Sequence, residues 1–328
     1  MSARGEFELI ARYFAPIAGP GGLGLVDDAG LLRPARGYET VVTVDALVAG
    51  VHFFAGDPPG SIARKALAVN LSDLAAKGAR PEGFVLALAL PRGWEENWLA
   101  AFAEGLAAQA REAGCPLIGG DTVSTPGPLT LSITAFGAVP AGRMVLRSGA
   151  KPGDLLCVSG TIGDGALGLK VHGPERPGWV ETLSEPQRAA LADRYLHPRP
   201  RWALASALQQ HASAAMDISD GLAGDARKLA SASRVGLEID LDTVPLSEAA
   251  RAAVMADPAL AELAWTGGDD YEILCAVPAG EFPSLKAAAD EVGVPLAVIG
   301  RVAGEAGSVT CREKGSVRSF AYGSFAHF

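Results

Sequence analysis

The chain has 328 residues, enough for about two domains and a large buried core. Apolar residues make up 49% and charged residues 20%, an ordinary globular balance, so neither a disordered nor a membrane-spanning class is indicated. The net charge of −9 excludes a sequence-independent grip on nucleic acid, which needs clustered Lys and Arg, but leaves anionic ligands open because bound cations can bring them to acidic side chains.

The opening "MSARGEFELIARYFAP" mixes charges with apolar residues at helical spacing and lacks an apolar signal region, so a cytoplasmic protein with no membrane segment is expected. Residues 6–14 read as a short helix that "GPGGLG" breaks. "LVDDAGLLR" (25–33) and "ETVVTVDALV" (39–48) read as strands bounded by Gly and Pro. "SIARKALAVNLSDLAAKGA" (61–79) reads as a long helix that Gly78 stops. A buried strand "FVLALALP" and an amphipathic helix ending at Gly114 follow, then strands over "CPLIGGDT" and "LTLSITAFGAV".

The charged, Gly- and Pro-containing segment "AGRMVLRSGAKPGD" marks a domain boundary, set at 140/141. Beyond it come a strand "DLLCVSG", a helix from about 165, and helices near 185 and 200. Next are the strand "AAMDISD", a helix over "GLAGDARKLASAS", and strands near 236, 272 and 296. The expectation is two domains, 1–140 and 141–328, of α/β (α+β) class. The four cysteines (Cys115, Cys157, Cys275, Cys311) form no CxxC pair and no metal spacing with the five histidines, which fits a reduced compartment.

"DLLCVSGTIGDGALGLK" carries Gly163-x-Gly165-x-x-Gly168 after a strand and before a helix, the form of a dinucleotide fingerprint. That fingerprint needs a second strand ending in an acid about 20 residues on. Here the window holds "HGPERPGWVETLSEP", with three prolines. Gly19-x-Gly21-x-x-Gly24 comes after a helix and before a strand, the wrong order. With 40 glycines, chance matches are expected, and no GK dipeptide exists to make a P-loop.

The aspartates are more informative. Asp27 and Asp28 sit at a strand edge, Asp45 ends "VVTVD", Asp121 follows "LIGG" and Asp217 ends "AAM". Asp73 lies one turn from Asn70 on an otherwise apolar helix. Strands buried on both faces expose side chains only at their ends, so such acids can converge into one cleft. Clustered carboxylates repel unless divalent cations intervene, and aspartate oxygens suit Mg²⁺, which takes one or two carboxylates plus substrate phosphates. A metal–nucleotide site is expected. Each residue also has a plain structural reading. Asp73 could pair with Lys77 at i+4, Asp220 could cap a helix, and Asp28, Asp269 and Asp270 could be turn residues. His52 could be an ordinary surface or core histidine.

Six motifs resemble thiamine-monophosphate kinase, in the family's order and over nearly the whole chain. They are "DALVAGVHF" (45–53), "ALAVNLSDLAAKGA" (66–79), "LIGGDT" (117–122), "RSGAKPGD" (147–154), "MDISDGL" (216–222) and "GGDDYEIL" (267–274). The resemblance places the chain in the aminoimidazole ribonucleotide synthetase-like superfamily. It implies an N-terminal mixed sheet that builds a dimeric barrel with ATP and Mg²⁺ bound at a cleft, and a C-terminal α/β domain. Carried over residue by residue, it implies metal ligation by Asp28, Thr43, Asp45, Asp73, Asp121, Asp217 and Asp220. Val44 stands where the family has a hydroxyl residue near a metal, so only its backbone carbonyl could serve. Gly120, Asp121, Arg147 and Ser219 are implied ATP contacts. His52, Asp269 and Tyr322 are implied contacts to thiamine phosphate. Asp73, Asp121 and Arg147 are implied to carry the catalysis.

The activity so implied is in-line transfer of the ATP γ-phosphoryl group to thiamine monophosphate, assisted by several Mg²⁺ ions, in a homodimer. Two alternatives stand beside it. One is another superfamily enzyme, a selenophosphate synthetase or an amidine-forming ligase; the former normally needs a reactive cysteine in an N-terminal loop, and none precedes Cys115. The other is a nucleotide- or metal-binding module without turnover.

Overall fold

The computed structural model describes residues 6–27 and 29–320. The chain divides into two compact units, Met1–Leu74 with Ala79–Gly142, and Ala75–Gly78 with Arg143–Phe328.

The first unit opens with a helical turn, α1 (Glu6–Leu9), continued by a π-helical stretch Ile10–Phe14. Then come β1 (Tyr38–Val48), α2 (Pro59–Ala76, ending in the second unit), β2 (Arg80–Pro91), α3 (Glu96–Ala113), β3 (Leu117–Thr125) and β4 (Thr130–Pro140). The sheet is mixed, in the order β1-β4-β2-β3, with β2 and β3 parallel and the other pairs antiparallel. Alternation along β1 buries Val41 and Leu47 and half-buries Thr43 and Asp45 on one face. On that face α2 packs against the sheet, with the Leu74 side chain against Gly137 of β4. The helices α2 and α3 approach so closely at Gly60 and Gly105 that a Cβ on Gly105 would lie 2.3 Å from the Gly60 carbonyl oxygen. The α3 helix ends where Gly114 turns left-handed at φ 61°, as its sequence indicates.

The opposite face of this sheet carries Val42, Val44 and Val123, which are 57%, 61% and 48% exposed. Among the described residues the four strands form an open sheet, and no closed barrel is found within the chain. The strand expected over 25–33 is not formed. Pro20–Leu25 is a 3-10 turn, and the described residues that follow stay irregular as far as β1. The reason is close packing over β3: Leu31 N donates to Gly21 O at 2.7 Å, and a Cβ on Gly30 would lie 2.1 Å from Ile118 O. Close packing accounts for Gly19, against Pro116, and Gly21, against Leu31 O, whereas Gly24 faces open space at a left-handed φ of 73°.

The second unit contains β5 (Leu155–Ser159), α4 (Asp164–His172), α5 (Glu185–Leu196), α6 (Ala205–His211), β6 (Ala214–Ile218) and α7 (Leu222–Ser233). It continues with β7 (Leu237–Asp240), α8 (Glu248–Ala256), α9 (Leu260–Thr266), β8 (Glu272–Val277) and α10 (Phe282–Glu291). It ends in β9 (Leu296–Val302), β10 (Val309–Glu313) and β11 (Ser316–Arg318). Its sheet runs β11-β10-β7-β9-β5-β8-β6 and is antiparallel except between β7 and β10. Every residue of β6 and β8 is buried. Leu156, Met216 and Leu274 face α7 and α9, while Cys157, Ile273 and Cys275 face α6 and α10. A third cluster joins Leu167 and Val171 of α4 to Leu191 of α5 and Ala250 of α8. No helix among the described residues is long and apolar enough to cross a membrane.

Candidate active site

In the first unit, Thr43 and Asp73 meet: Thr43 Oγ1 donates to Asp73 Oδ2 at 2.5 Å. Asp45 leaves β1 on the same face as Thr43, two residues along. One turn before Asp73, Asn70 is fully buried; its Nδ2 donates to Ala66 O at 3.1 Å, while its Oδ1 has no hydrogen-bond partner. Lys77 does not serve merely as a surface partner for Asp73, because its ammonium donates to Ala215 O at 2.7 Å. Val44 projects from the opposite face, so any part in a metal site falls to its backbone.

Asp121 stands apart from that group. The ladder puts Asp45, Ile133, Leu86 and Gly120 in one row and Asp121 in the next, so Asp45 and Asp121 leave the sheet on opposite faces. Neither acid lies at a strand end: Asp45 is inside β1 and Asp121 is mid-way along β3. The first sheet is covered on one face, and its strands continue past the acids instead of stopping at them. Gly120 and Asp121 line a cavity of about 230 Å³ with Asp27, Ile10, Leu25 and Ile118. Asp28 lies outside the described residues. His52 sits in a tight loop after β1, where its Nδ1 accepts from Val48 N at 3.0 Å. In the neutral ring that leaves the proton on Nε2.

In the second unit, Asp217 is buried on β6, and Ser219 and Asp220 form the loop into α7. Asp220 does not cap that helix: Gly221 is at the cap position, without a side-chain bond. The loop is instead held from inside the helix. Buried Asp225 accepts from both Ser219 N and Asp220 N at 3.0 Å. Lys228 bridges Asp220 at 2.5 Å and Asp225 at 2.7 Å. Burial pushes the Asp225 carboxyl above its ordinary range, with Lys228 pulling the other way. Arg147 is exposed, and its carbonyl accepts from Ser233 Oγ at 2.8 Å.

Asp269 has φ 74°, and its Oδ1 accepts from Tyr271 Oη at 3.2 Å. Tyr322 lies outside the described residues. Asp270, fully buried, accepts from Gly163 N at 2.7 Å and Gly165 N at 3.0 Å. The N-terminus of α4, at Gly163 and Gly165, thus presents its backbone donors to the chain's own carboxylate, in the place where a dinucleotide fold holds a pyrophosphate. Next to it, Glu272 is fully buried. It accepts from Arg194 Nη2 at 2.9 Å, Arg201 Nε at 2.7 Å and Ser159 Oγ at 2.6 Å. Asp225, Lys228, Glu272, Arg194 and Arg201 were not singled out by the sequence reading. Asp225 and Lys228 carry a local signal, an i,i+3 pair after "DGL". The two arginines are 78 and 71 residues from Glu272, and only the fold joins them.

Among the described residues, no three His, Cys, Asp or Glu side chains gather where they could hold a metal ion by themselves. The donors shown to meet are both oxygens, Thr43 Oγ1 and Asp73 Oδ2; Asp45 leaves β1 on the same face as Thr43, and Asn70, one turn before Asp73, has an unpartnered Oδ1. They suit a hard cation that takes few protein ligands and completes its shell with phosphates and water.

The first unit corresponds to the AIR synthase related protein N-terminal domain over residues 26–139, and the second to the C-terminal domain of the same family over 151–312. Two-domain AIR synthase-related proteins are therefore the class this fold defines. Within that class, the thiamine-monophosphate kinase of Caulobacter vibrioides is 45% identical over 301 residues, covering 90% of this chain and 83% of that protein. The crystal structure of thiamine-monophosphate kinase from Stenotrophomonas maltophilia superposes with a TM-score of 0.80 at 39% identity, over 90% of this chain and 91% of that one. A structure of AaThiL complexed with AMPPCP and TMP superposes with a TM-score of 0.77 at 28% identity, over the whole of both chains. The chain belongs to the thiamine-monophosphate kinase family.

Proposed function

We propose that the chain transfers the γ-phosphoryl group of ATP to thiamine monophosphate, giving thiamine diphosphate and ADP. The observation that carries this reading is likeness over the full chain to a relative complexed with AMPPCP and TMP, a triphosphate analogue and an acceptor. The acceptor is already a phosphate oxygen. With a second pKa near about 6 it is mostly ionised at neutral pH, so no general base is required. What the protein must supply is relief of repulsion between two anions and in-line alignment.

Thr43, Asp45 and Asp73 are proposed Mg²⁺ ligands on one face of the first sheet; Asp121 on its other face, Asp217 and Asp220 in the second unit, Asp28 and the Val44 carbonyl are proposed as ligands of further ions. Bound Mg²⁺ would supply charge neutralisation at the phosphates. Gly120, Asp121, Arg147 and Ser219 would face ATP, with Arg147 as an exposed cation free to meet phosphate oxygens. The cavity that ends at Gly120 and Asp121 has an apolar wall suited to the purine. His52, Asp269 and Tyr322 would hold the acceptor, with His52 Nε2–H as the donor. A cytoplasmic location accords with this chemistry.

A reactive-cysteine mechanism such as that of selenophosphate synthetase is disfavoured by Cys115, which burial pushes up to about 12. The deciding experiment is ADP release by the full chain with ATP and Mg²⁺. Release that depends on thiamine monophosphate supports the kinase, whereas ATP binding without such release supports a non-catalytic module.

The dimeric barrel belongs to the same proposal. An open sheet face bearing Val42, Val44 and Val123, with β1 and β3 at its edges, is the kind of surface a second copy of the chain would cover. Val42→Lys is expected to shift the protein from dimer to monomer in light scattering while its circular dichroism is kept. A wild-type chain that is monomeric at micromolar concentration would remove the barrel from the account.

A further inference from the structure

We propose that Asp270 is a positioning residue for the acceptor site: by clamping the backbone donors of Gly163 and Gly165, it holds its neighbour Asp269 in the left-handed conformation that aims the Asp269 carboxylate. This rests on the reading that Asp269 contacts the acceptor.

Asp269 and Tyr271 both have positive φ, 74° and 52°, a region that residues with a Cβ occupy only when their surroundings over-determine them. The surroundings here do so. Asp269 N donates to Ser219 O at 2.9 Å and Tyr271 N to Ile218 O at 2.8 Å. Arg194 Nη2 donates to Asp270 O at 3.2 Å. The Asp270 carboxylate closes the set through two N–H donors at the start of α4. The fit is tight, since a Cβ on Gly165 would lie 2.3 Å from Asp269 O. Tyr271 Oη then fixes the Asp269 carboxylate itself. The side chains of Asp269 and Asp270 thus do opposite things: one is half-buried and presented, the other wholly buried and bonded to the scaffold. The Ser219 loop is bonded to the Asp269 turn through Ser219 O but has a second anchor in Asp225, which holds Ser219 N and Asp220 N when that turn loosens.

Two variants test this, Asp270→Asn, whose amide would set a donor against one of the two N–H groups, and Gly165→Ala, which keeps Asp270 and displaces the Asp269 carbonyl. The readouts are KM for thiamine monophosphate, KM for ATP, and calorimetric affinity for a non-hydrolysable ATP analogue. Each variant that folds is expected to raise the acceptor KM by about tenfold, equivalent to about 1.4 kcal/mol, with ATP-analogue affinity unchanged. Equal losses for both substrates, or none, in the folded variants would overturn the inference and leave Asp270 a structural residue. Asp269→Asn separates the two ideas. If its acceptor KM is unchanged, the placement of Asp269 on the acceptor is wrong. If it is raised while Asp270→Asn and Gly165→Ala leave KM alone, only the clamp is wrong.

Discussion

Asp73→Asn and Asp121→Asn each lower kcat/KM for phosphoryl transfer by on the order of a thousandfold, the scale set by removing a preorganised electrostatic group from a transition state. The fold survives both changes. Asp73 is only half-buried, and an Asn carbonyl oxygen can still accept from Thr43 Oγ1. Asp121 is exposed on an edge strand, where an isosteric amide disturbs no packing. Under the proposed assignment, what each variant loses is the negative charge that a cation beside the phosphates would require. Steady-state kinetics with circular dichroism as the folding control reads the effect. Near-normal activity in both variants would remove the metal-ligand assignment of the first unit.

Glu272→Ala is the substitution with the largest expected cost in stability. Glu272 is fully buried, while Arg194 and Arg201 keep only 10% and 18% of their side chains exposed. Truncation leaves two guanidinium groups and the Ser159 hydroxyl facing a void, and breaking a buried pair from one side costs about 3–5 kcal/mol. By contrast, Glu238→Ala at the Arg301–Glu238 pair, whose side chains are 65% and 35% exposed, should cost no more than about 1 kcal/mol. Urea titration of the two variants compares them directly. A loss at Glu272 as small as that at Glu238 would show that the buried network does not hold the second unit together.

Much of the fold was legible because its signals are local. The long helix ending near Gly78, the amphipathic helix ending at Gly114 and the strands "ETVVTVDALV" and "AAMDISD" all announce themselves by periodicity or by a stop residue. The segment 25–33 misled because Val and Leu between glycines look like a strand, whereas close backbone packing over β3 decides its conformation. Placing Asp45 and Asp121 at strand ends failed for a related reason. Apolar residues on both sides of an acid do not reveal whether the sheet is covered on one face or two. For the site, Thr43 and Asp73 are linked in the sequence only by the family resemblance, which implies both as metal ligands; their hydrogen bond is seen in the structure. The Asp225 anchor, the Glu272 network and the occupation of the glycine loop by Asp270 depend on pairings across the fold. The glycines of "GTIGDGALG" do permit a close approach by an anion; the sequence alone could not say that the anion is the chain's own side chain.

The most direct test of the whole account follows the γ-phosphorus of ATP. The full chain is incubated with γ-labelled ATP, Mg²⁺ and thiamine monophosphate, and the products are separated and read by phosphorus NMR. Direct transfer predicts that the label appears in the terminal phosphate of thiamine diphosphate, in step with ADP. Label released as inorganic phosphate, with thiamine monophosphate left unchanged, would contradict it.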